Sequence, residues 1–292
     1  MKSAPFAYDA PKTVEAAVAL LAEHGADAKL LAGGQSLVPL LNMRLARPSV
    51  LIDINRIASL QYIRFEADAS LAIGAGTRQS AAEHSPKVAR GWPVLVEALR
   101  QVGHVTIRNR GTIGGTLAHA DPTAELPTLA VALDATFRLI GPRGERTVRA
   151  REAYVSYLTT VFAQDEILTE VRFPGPPPRS GAAFLEISRR HGDFALVAAA
   201  ATVTVDAAGR CTNAAVALGG VAPTPVLVGP RGNELQGQRL DKATLRDASR
   251  QYTADLDPPT DTHADAEYRS EVAAVLTRRA LALAFERAMT GA

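Results

Sequence analysis

Cysteine is almost absent: the chain of 292 residues contains one, Cys211. A single thiol closes no internal disulfide, so nothing points to an oxidising compartment. Nor does it hold an iron–sulfur cluster, which takes several thiolates. Aromatic residues are scarce at 5%, so the core has to be built mainly from Ala, Val and Leu. No apolar run approaches the ~18 residues that read as a membrane span. The start, Met1-Lys2-Ser3-Ala4-Pro5, lacks the apolar stretch of a signal peptide. Charge of one sign is lacking too. The formal net charge is +2, with no long Lys/Arg run, which gives no electrostatic case for nucleic acid or membrane insertion. The local basic pairs Arg108/Arg110 and Arg189/Arg190 read as solvated faces. The six histidines are dispersed, and no H-x-x-x-H or C-x-x-C spacing suggests a metal. The expectation is a cytoplasmic protein.

What is present is an ordinary globular balance, with 47% hydrophobic and 21% charged residues. The length suits two domains. Residues 13–24 read as a helix capped by Thr13 and ended by Gly25. A short strand, Lys29-Leu30-Leu31-Ala32, runs into Gly33-Gly34, and residues 37–45 look helical. Val50-Leu51-Ile52-Asp53-Ile54 and Leu71-Ala72-Ile73-Gly74-Ala75 read as buried strands. Residues 92–101 form a helix with Pro93 in its first turn. A further helix is expected to start at Asp121-Pro122 and run to about Leu133, with Asp121 as its cap. The run Pro174-Gly175-Pro176-Pro177-Pro178 cannot continue helix or central strand, and marks the domain boundary. Beyond it, residues 194–205 and 211–219 flank the turn Asp206-Ala207-Ala208-Gly209 in a hairpin pattern. The chain ends in an amphipathic helix over 267–289.

Two glycine motifs carry the chemistry. In Ala32-Gly33-Gly34-Gln35-Ser36, glycine permits positive φ and lets backbone amides converge on an anion. A helix starting at Leu37 would add its dipole. Alone, such a pair is equally a tight turn. The second motif, Gly111-Thr112-Ile113-Gly114-Gly115-Thr116, repeats the pattern with two hydroxyls, read as a second loop with convergent amides. A side chain at Gly114 is expected to occupy the ligand's space. Together the motifs suit an extended ligand bearing a diphosphate. Neither is a G-x-G-x-x-G fingerprint or a Walker A loop, which argues against a Rossmann site.

Lys29-Leu30-Leu31-Ala32-Gly33-Gly34-Gln35-Ser36-Leu37, with Leu51-Ile52-Asp53-Ile54-Asn55 after it, resembles the first flavin loop of the molybdenum hydroxylase flavoproteins. These are the medium subunits of aerobic carbon monoxide dehydrogenase and the flavin domain of xanthine dehydrogenase. The stretch from Arg108-Asn109-Arg110 through the second motif to Asp121-Pro122-Thr123-Ala124-Glu125-Leu126-Pro127 is similar to the second, longer signature. Ser188-Arg189-Arg190-His191-Gly192-Asp193-Phe194-Ala195, the segment from Ala217 to Pro225, and Ala266-Glu267-Tyr268-Arg269 resemble signatures of the family's C-terminal domain.

The resemblance implies an α+β chain. Residues 1–176 would form a bipartite FAD-binding domain of the vanillyl-alcohol-oxidase (PCMH) type, split near residue 56. Residues 177–292 would form a smaller α+β domain with an antiparallel sheet. It implies FAD on Lys29, Leu30, Leu31, Ala32, Gly33, Gly34, Gln35, Ser36 and Leu37 of the first motif. On the second it implies Gly111, Thr112, Ile113, Gly114, Gly115, Thr116 and Ala118, with Asp121. Glu125 would face the flavin end, and Leu168 would pack near the isoalloxazine. Many relatives carry Lys where this chain has Glu186. The implied role is electron relay. A large molybdopterin subunit and a small [2Fe–2S] subunit would complete a dimer of heterotrimers, electrons leaving through FAD to an external acceptor. No general acid or base is expected in this chain. His104 and His119 flank the second motif but read as surface or satisfied residues, Asp53 as a strand end and Phe194 as core. A stand-alone flavin oxidoreductase and a non-catalytic scaffold without flavin remain the alternatives.

Overall fold

In the computed structural model, residues 2–229 and 234–291 are described. The chain begins with three short strands, β1 (Ala7–Asp9), β2 (Ala28–Leu31) and β3 (Val50–Asp53). The strand β3 is central and runs parallel to both neighbours, so Val50, Leu51 and Ile52 are all buried. Helix α1 (Val14–His24) lays Val14, Ala17, Val18 and Leu21 into the core. Thr13 caps it by accepting from the Ala16 amide, and Gly25 at φ +51° ends it. Helix α2 (Leu37–Asn42) is shorter than its apolar pattern suggests. The chain turns at Arg44, in the left-handed region at φ +61°.

The second unit is a five-stranded sheet. It contains β4 (Ile63–Phe65), β5 (Leu71–Gly74), β6 (Thr136–Gly141), β7 (Gly144–Arg149) and, later in the chain, β10 (Ile167–Phe173). Its order is β4-β5-β10-β6-β7, antiparallel throughout. Between β5 and β6 the chain builds α3 (Gln79–Glu83), α4 (Pro86–Gly91), α5 (Pro93–Gln101), α6 (Val105–Arg110), α7 (Ile113–His119) and α8 (Glu125–Ala132). A short helix α9 (Ala150–Ala153) leads into a small hairpin of β8 (Tyr154–Ser156) and β9 (Thr159–Thr160). Its Val155 and Tyr157 stand out at 61% and 58% exposure.

Two expectations need correction here. The second glycine motif is not a loop: Gly114 and Gly115 lie in the first turn of α7, capped by the Thr112 hydroxyl. And α8 begins at Glu125, not at Asp121. Asp121 instead closes its own turn, its Oδ1 accepting from the Thr123 amide at 2.9 Å and hydroxyl at 2.6 Å. An Asp-Pro-Thr sequence satisfies this local turn without starting a helix.

After the proline-rich stretch come β11 (Ser180–Ser188), β12 (Ala195–Val205), β13 (Cys211–Gly219) and β14 (Val226–Val228), an antiparallel sheet in chain order. Helices α10 (Lys242–Thr253) and α11 (Ala266–Thr290) cover one face, each capped by an aspartate, Asp241 and Asp265. Both faces of β12 are buried. Ala195, Ala198 and Ala200 pack toward α8, whereas Val197, Ala199, Ala201 and Val203 belong to the core under α11. That two-sided burial explains a continuous apolar run. Small residues let α11 lie close: a Cβ on Gly181 would overlap the Ala284 carbonyl.

Candidate functional site

The fold brings the two glycine motifs into contact. Gly33 lies against the backbone of the second motif, where a Cβ would come within 2.5 Å of the Arg110 carbonyl oxygen. Gly115 faces Ala32 in turn, where an added Cβ would lie 3.4 Å from Ala32 Cβ. Gly33 is therefore glycine because two backbones pass there, not to make room for a ligand. Gly34 is different. It sits at φ +73°, where only glycine is unstrained.

The amides divide unequally between the motifs. Among the described residues nothing accepts from the amides of Gly33, Gly34, Gln35 and Ser36. Four consecutive N–H groups with a left-handed glycine among them are the ingredients of an anion-binding nest. The second motif has no such surplus. Ile113 N–H donates to Thr77 O, Gly114 N–H to Ala75 O, Gly115 N–H to the Thr112 hydroxyl and Thr116 N–H to Thr112 O. This overturns the reading of the second motif as a set of convergent amides. Its glycines allow α7 to dock on the segment after β5: a Cβ on Gly114 would come within 2.8 Å of Ala75 Cα. A side chain there displaces the helix, rather than filling a ligand's space. The Thr116 hydroxyl accepts from Gln79 Nε2 at 2.8 Å.

Residues outside both motifs brace them, and sequence reading missed them. Arg78 donates to the Arg110 carbonyl and, at 2.8 Å, to Asn55 Oδ1. Asn55 Nδ2 donates to Ala32 O at 2.7 Å. The strut Arg78–Asn55–Ala32 thus ties the first motif to the second. Among the described residues no carboxylate bonds Arg78. Burial, and then the Arg110 guanidinium, hold its pKa below the usual value. The only advance signal was Asn55 directly after the strand motif. Beside it, Asp53 accepts from Tyr8 Oη at 2.5 Å and from the Asn55 amide at 2.8 Å. Burial opposes ionisation of Asp53, but these donors outweigh it and hold its pKa low. Its role here is to order the turn after β3.

The remaining candidates spread along α7 and beyond. Lys29 is exposed, Leu30 and Leu31 half-buried, and Leu37 half-buried at the start of α2. Ala118 is exposed and His119 half-buried on the last turn of α7, where burial depresses the imidazole. Seven residues of helix span about 10 Å, so Asp121 and Glu125 lie beyond the far end of α7 from the first motif. Leu168 is buried on β10 in the core with Leu117 and Leu139. His104 packs against Gly192 of the loop between β11 and β12, where a Cβ would lie 2.8 Å from the ring. Two further expectations fail. Arg108 is no solvated residue: it is 7% exposed, donates to Glu83 at 2.7 Å and to the Val102 and Gly103 carbonyls. Phe194 is not core but 62% exposed.

The free amides of the first motif lie beside α7, and the C-terminal sheet packs on α8 beyond it. Comparison with known proteins defines the class. The family described as the FAD-binding domain in molybdopterin dehydrogenase matches residues 4–176. The carbon monoxide dehydrogenase flavoprotein C-terminal domain matches residues 182–284. The alpha subunit of the 6-hydroxypseudooxynicotine dehydrogenase complex of Paenarthrobacter nicotinovorans is 43% identical over 99% of this chain and 97% of its own. The caffeine dehydrogenase subunit beta of a Pseudomonas species is 36% identical over 98% of this chain and 97% of its own. A chain in the structure of carbon monoxide dehydrogenase from Hydrogenophaga pseudoflava superposes with TM-score 0.95 at 38% identity, covering 98% of this chain and 99% of that one.

Fold and site together define a two-domain flavoprotein, an oxidoreductase subunit whose cofactor is FAD. The chain belongs to the FAD-binding medium subunits of the molybdenum hydroxylases. Among the described residues no helix is long and apolar enough to cross a membrane, and no group of His, Cys, Asp and Glu is arranged to hold a metal.

Proposed function

We propose that this chain holds FAD as a relay between a partner's [2Fe–2S] clusters and an external acceptor. A large molybdopterin subunit carries out the hydroxylation in this reading, and the assembly is a cytoplasmic dimer of heterotrimers. The observation that carries the cofactor placement is the set of four unused amides at Gly33, Gly34, Gln35 and Ser36. They fit a pyrophosphate, with Arg78 and Arg110 supplying positive charge nearby. Lys29, Leu30, Leu31, Ala32 and Leu37 shape the approach to this nest. Gly111, Thr112, Ile113, Gly114, Gly115 and Thr116 form the wall against which the middle of the ligand lies, and Ala118, Asp121, Glu125 and Leu168 belong to its ring end.

The bound flavin supplies the redox chemistry. The chain's own residues do the holding. The nest neutralises the diphosphate, the Arg78–Asn55 strut keeps the nest at fixed distance from α7, and β11 with its following loop closes the ring end from water. The domain division follows the proline run, 1–176 and 177–292, with the first part dividing near residue 56.

Choice of substrate lies with the large subunit. The names of the relatives span carbon monoxide, caffeine and 6-hydroxypseudooxynicotine. Purified chain incubated with FAD and desalted is expected to keep flavin absorption at about one equivalent; a colourless protein would sink the cofactor reading. Affinity purification from the native host is expected to recover a large molybdenum subunit and a small iron–sulfur subunit. Recovery of the chain by itself, in active form, favours the stand-alone oxidoreductase.

A further inference from the structure

Backbone pairing lays the segment after β5 against the second motif. Gln79 N–H donates to Gly111 O at 3.0 Å and Ile113 N–H to Thr77 O at 3.0 Å, an antiparallel bridge centred on Arg78 and Thr112. Gln79 is the first residue of α3 and is 2% exposed. Its side chain reaches α7, where Nε2 donates to the Thr116 hydroxyl at 2.8 Å. Its Oε1 is buried and has no partner among the described residues. A Cβ on Gly111 would overlap that oxygen, so this glycine makes room for the amide. Leaving a buried carbonyl without a donor is destabilising, and such an exception in a folded chain calls for a reason.

The reason lies in the hydroxyl that Gln79 holds. A threonine hydroxyl has one hydrogen to donate and lone pairs to accept with. Within a helix that hydrogen commonly goes back to the carbonyl four residues earlier. Among the described residues the Thr116 hydroxyl makes no such bond and donates to no other acceptor, while its amide donates to Thr112 O. With one lone pair taken by Gln79 Nε2, the hydrogen points away from Gln79. Thr116 is half-buried. Its neighbour Gly115 faces Ala32, the residue just before the free amides of Gly33, Gly34, Gln35 and Ser36. The uncommitted O–H is therefore next along α7 from the point where the two motifs touch.

We infer that Gln79 is a positioning residue for the cofactor: by donating to Thr116 it holds that hydroxyl as a donor toward a diphosphate oxygen of FAD. The inference rests on the placement of the diphosphate at the first motif. Diphosphate oxygens accept hydrogen bonds, so a hydroxyl serves them with its hydrogen turned outward. An N–H donor behind the hydroxyl enforces that polarity. At 2% exposure Gln79 presents no surface to a ligand, and it acts through Thr116.

The test is a double-mutant cycle on the FAD affinity of the full chain, joined to the phosphorus-31 spectrum of the bound cofactor. Thr116→Val removes the hydroxyl at nearly constant shape and is expected to weaken FAD binding at least about tenfold, as for one hydrogen bond to a charged group. Thr116→Ser keeps the hydroxyl and is expected to stay within about threefold of wild type. Gln79→Met keeps the length and loses the donor. The Thr116 hydroxyl then turns back to Thr112 O, and affinity is expected to fall about five- to tenfold. On the Thr116→Val background the same Gln79→Met is expected to change affinity less than about twofold, because no hydroxyl is left to orient. One diphosphate resonance is expected to shift in Thr116→Val, and the same one in Gln79→Met. Where Gln79→Met fails to fold, Gln79→Leu takes its place in the cycle. Losses that multiply in the double variant overturn the positioning role, since a purely structural part for Gln79 acts with or without the hydroxyl. A spectrum in which Thr116→Val moves neither resonance overturns it as well. Thr116→Val binding FAD like wild type overturns it and leaves the FAD reading standing. Failure of the wild type to bind FAD overturns both.

Discussion

Arg287 and Glu97 meet around the edge of the C-terminal sheet. The Arg287 guanidinium donates to Glu97 Oε1 at 2.6 Å and Oε2 at 3.0 Å, and to the carbonyl of Ala182 at 2.6 Å. Arg287 comes from α11 beneath the sheet and Glu97 from α5 in the flavin domain. Strand β11 is the sheet's edge, so the arginine both occupies an unpaired edge carbonyl and fastens the two domains.

Replacing this arginine loosens the interface. Arg287→Ala is expected to cost about 1–2 kcal/mol, the upper range for a partly buried bidentate pair, and to lower the melting temperature by about 3–6 °C. Arg287→Lys keeps the charge and loses the fork, and falls between the two. Calorimetry of the three proteins checks the order; an unchanged Arg287→Ala denies the clasp any energetic weight.

The nest depends on one left-handed glycine. Gly34→Ala forces a Cβ at φ +73°, 3.1 Å from Val38 Cγ2, at a backbone cost of about 1–2 kcal/mol. The chain relaxes by turning the free amides apart, and FAD affinity is expected to drop at least about tenfold. Gly34→Asn, which tolerates this region better, is expected to lose less. Equilibrium flavin titration separates the outcomes.

Asn55 acts through its neighbours. Asn55→Ala cuts the strut between Arg78 and Ala32, and is expected to weaken flavin binding by about tenfold, in the range of one to two lost hydrogen bonds. Asn55→Asp keeps the bond to Arg78 but loses the donor to Ala32, and is expected to recover part of that loss. If Asn55→Ala binds like wild type, the first motif holds its shape without the strut.

Arg108 and Arg110 are two residues apart and behave oppositely. The side chains of Arg108 and its partner Glu83 are 8% and 9% exposed. Arg108→Ala strands a buried carboxylate and is expected to cost about 3–5 kcal/mol, lowering the melting temperature by on the order of 10 °C. Arg110 is exposed, and Arg110→Ala is expected to leave the melting temperature within about 2 °C. Its effect should appear in flavin affinity instead, as loss of positive charge near the diphosphate. Thermal melts and flavin titrations of the two variants, run side by side, test the contrast.

Much of the architecture was legible from local pattern. Thr13 and Gly25 bracket α1 as their chemistry requires, and the hairpin of β12 and β13 follows its turn residues. The glycine of the first motif has the backbone conformation that motivated its reading. Legibility failed where one residue type serves two purposes. Asp121 can cap a helix or close its own turn, and packing of Pro122 on β13 selects the turn. Glycine can free an amide or let two backbones touch. At Gly114 only the presence of Ala75 decides for contact.

The sequence by itself determined the class of protein through long motifs that resemble a known family, while cap residues and turn glycines, which act over a few residues, made individual elements such as α1 and the β12–β13 hairpin readable. Tertiary structure decided which groups remain unused. The free amides of the first motif, the bound amides of the second and the burial of Arg108 are set by segments far apart in the chain. Hydrogen-bond satisfaction and desolvation depend on everything that surrounds a group, so they appear only once the whole chain has folded.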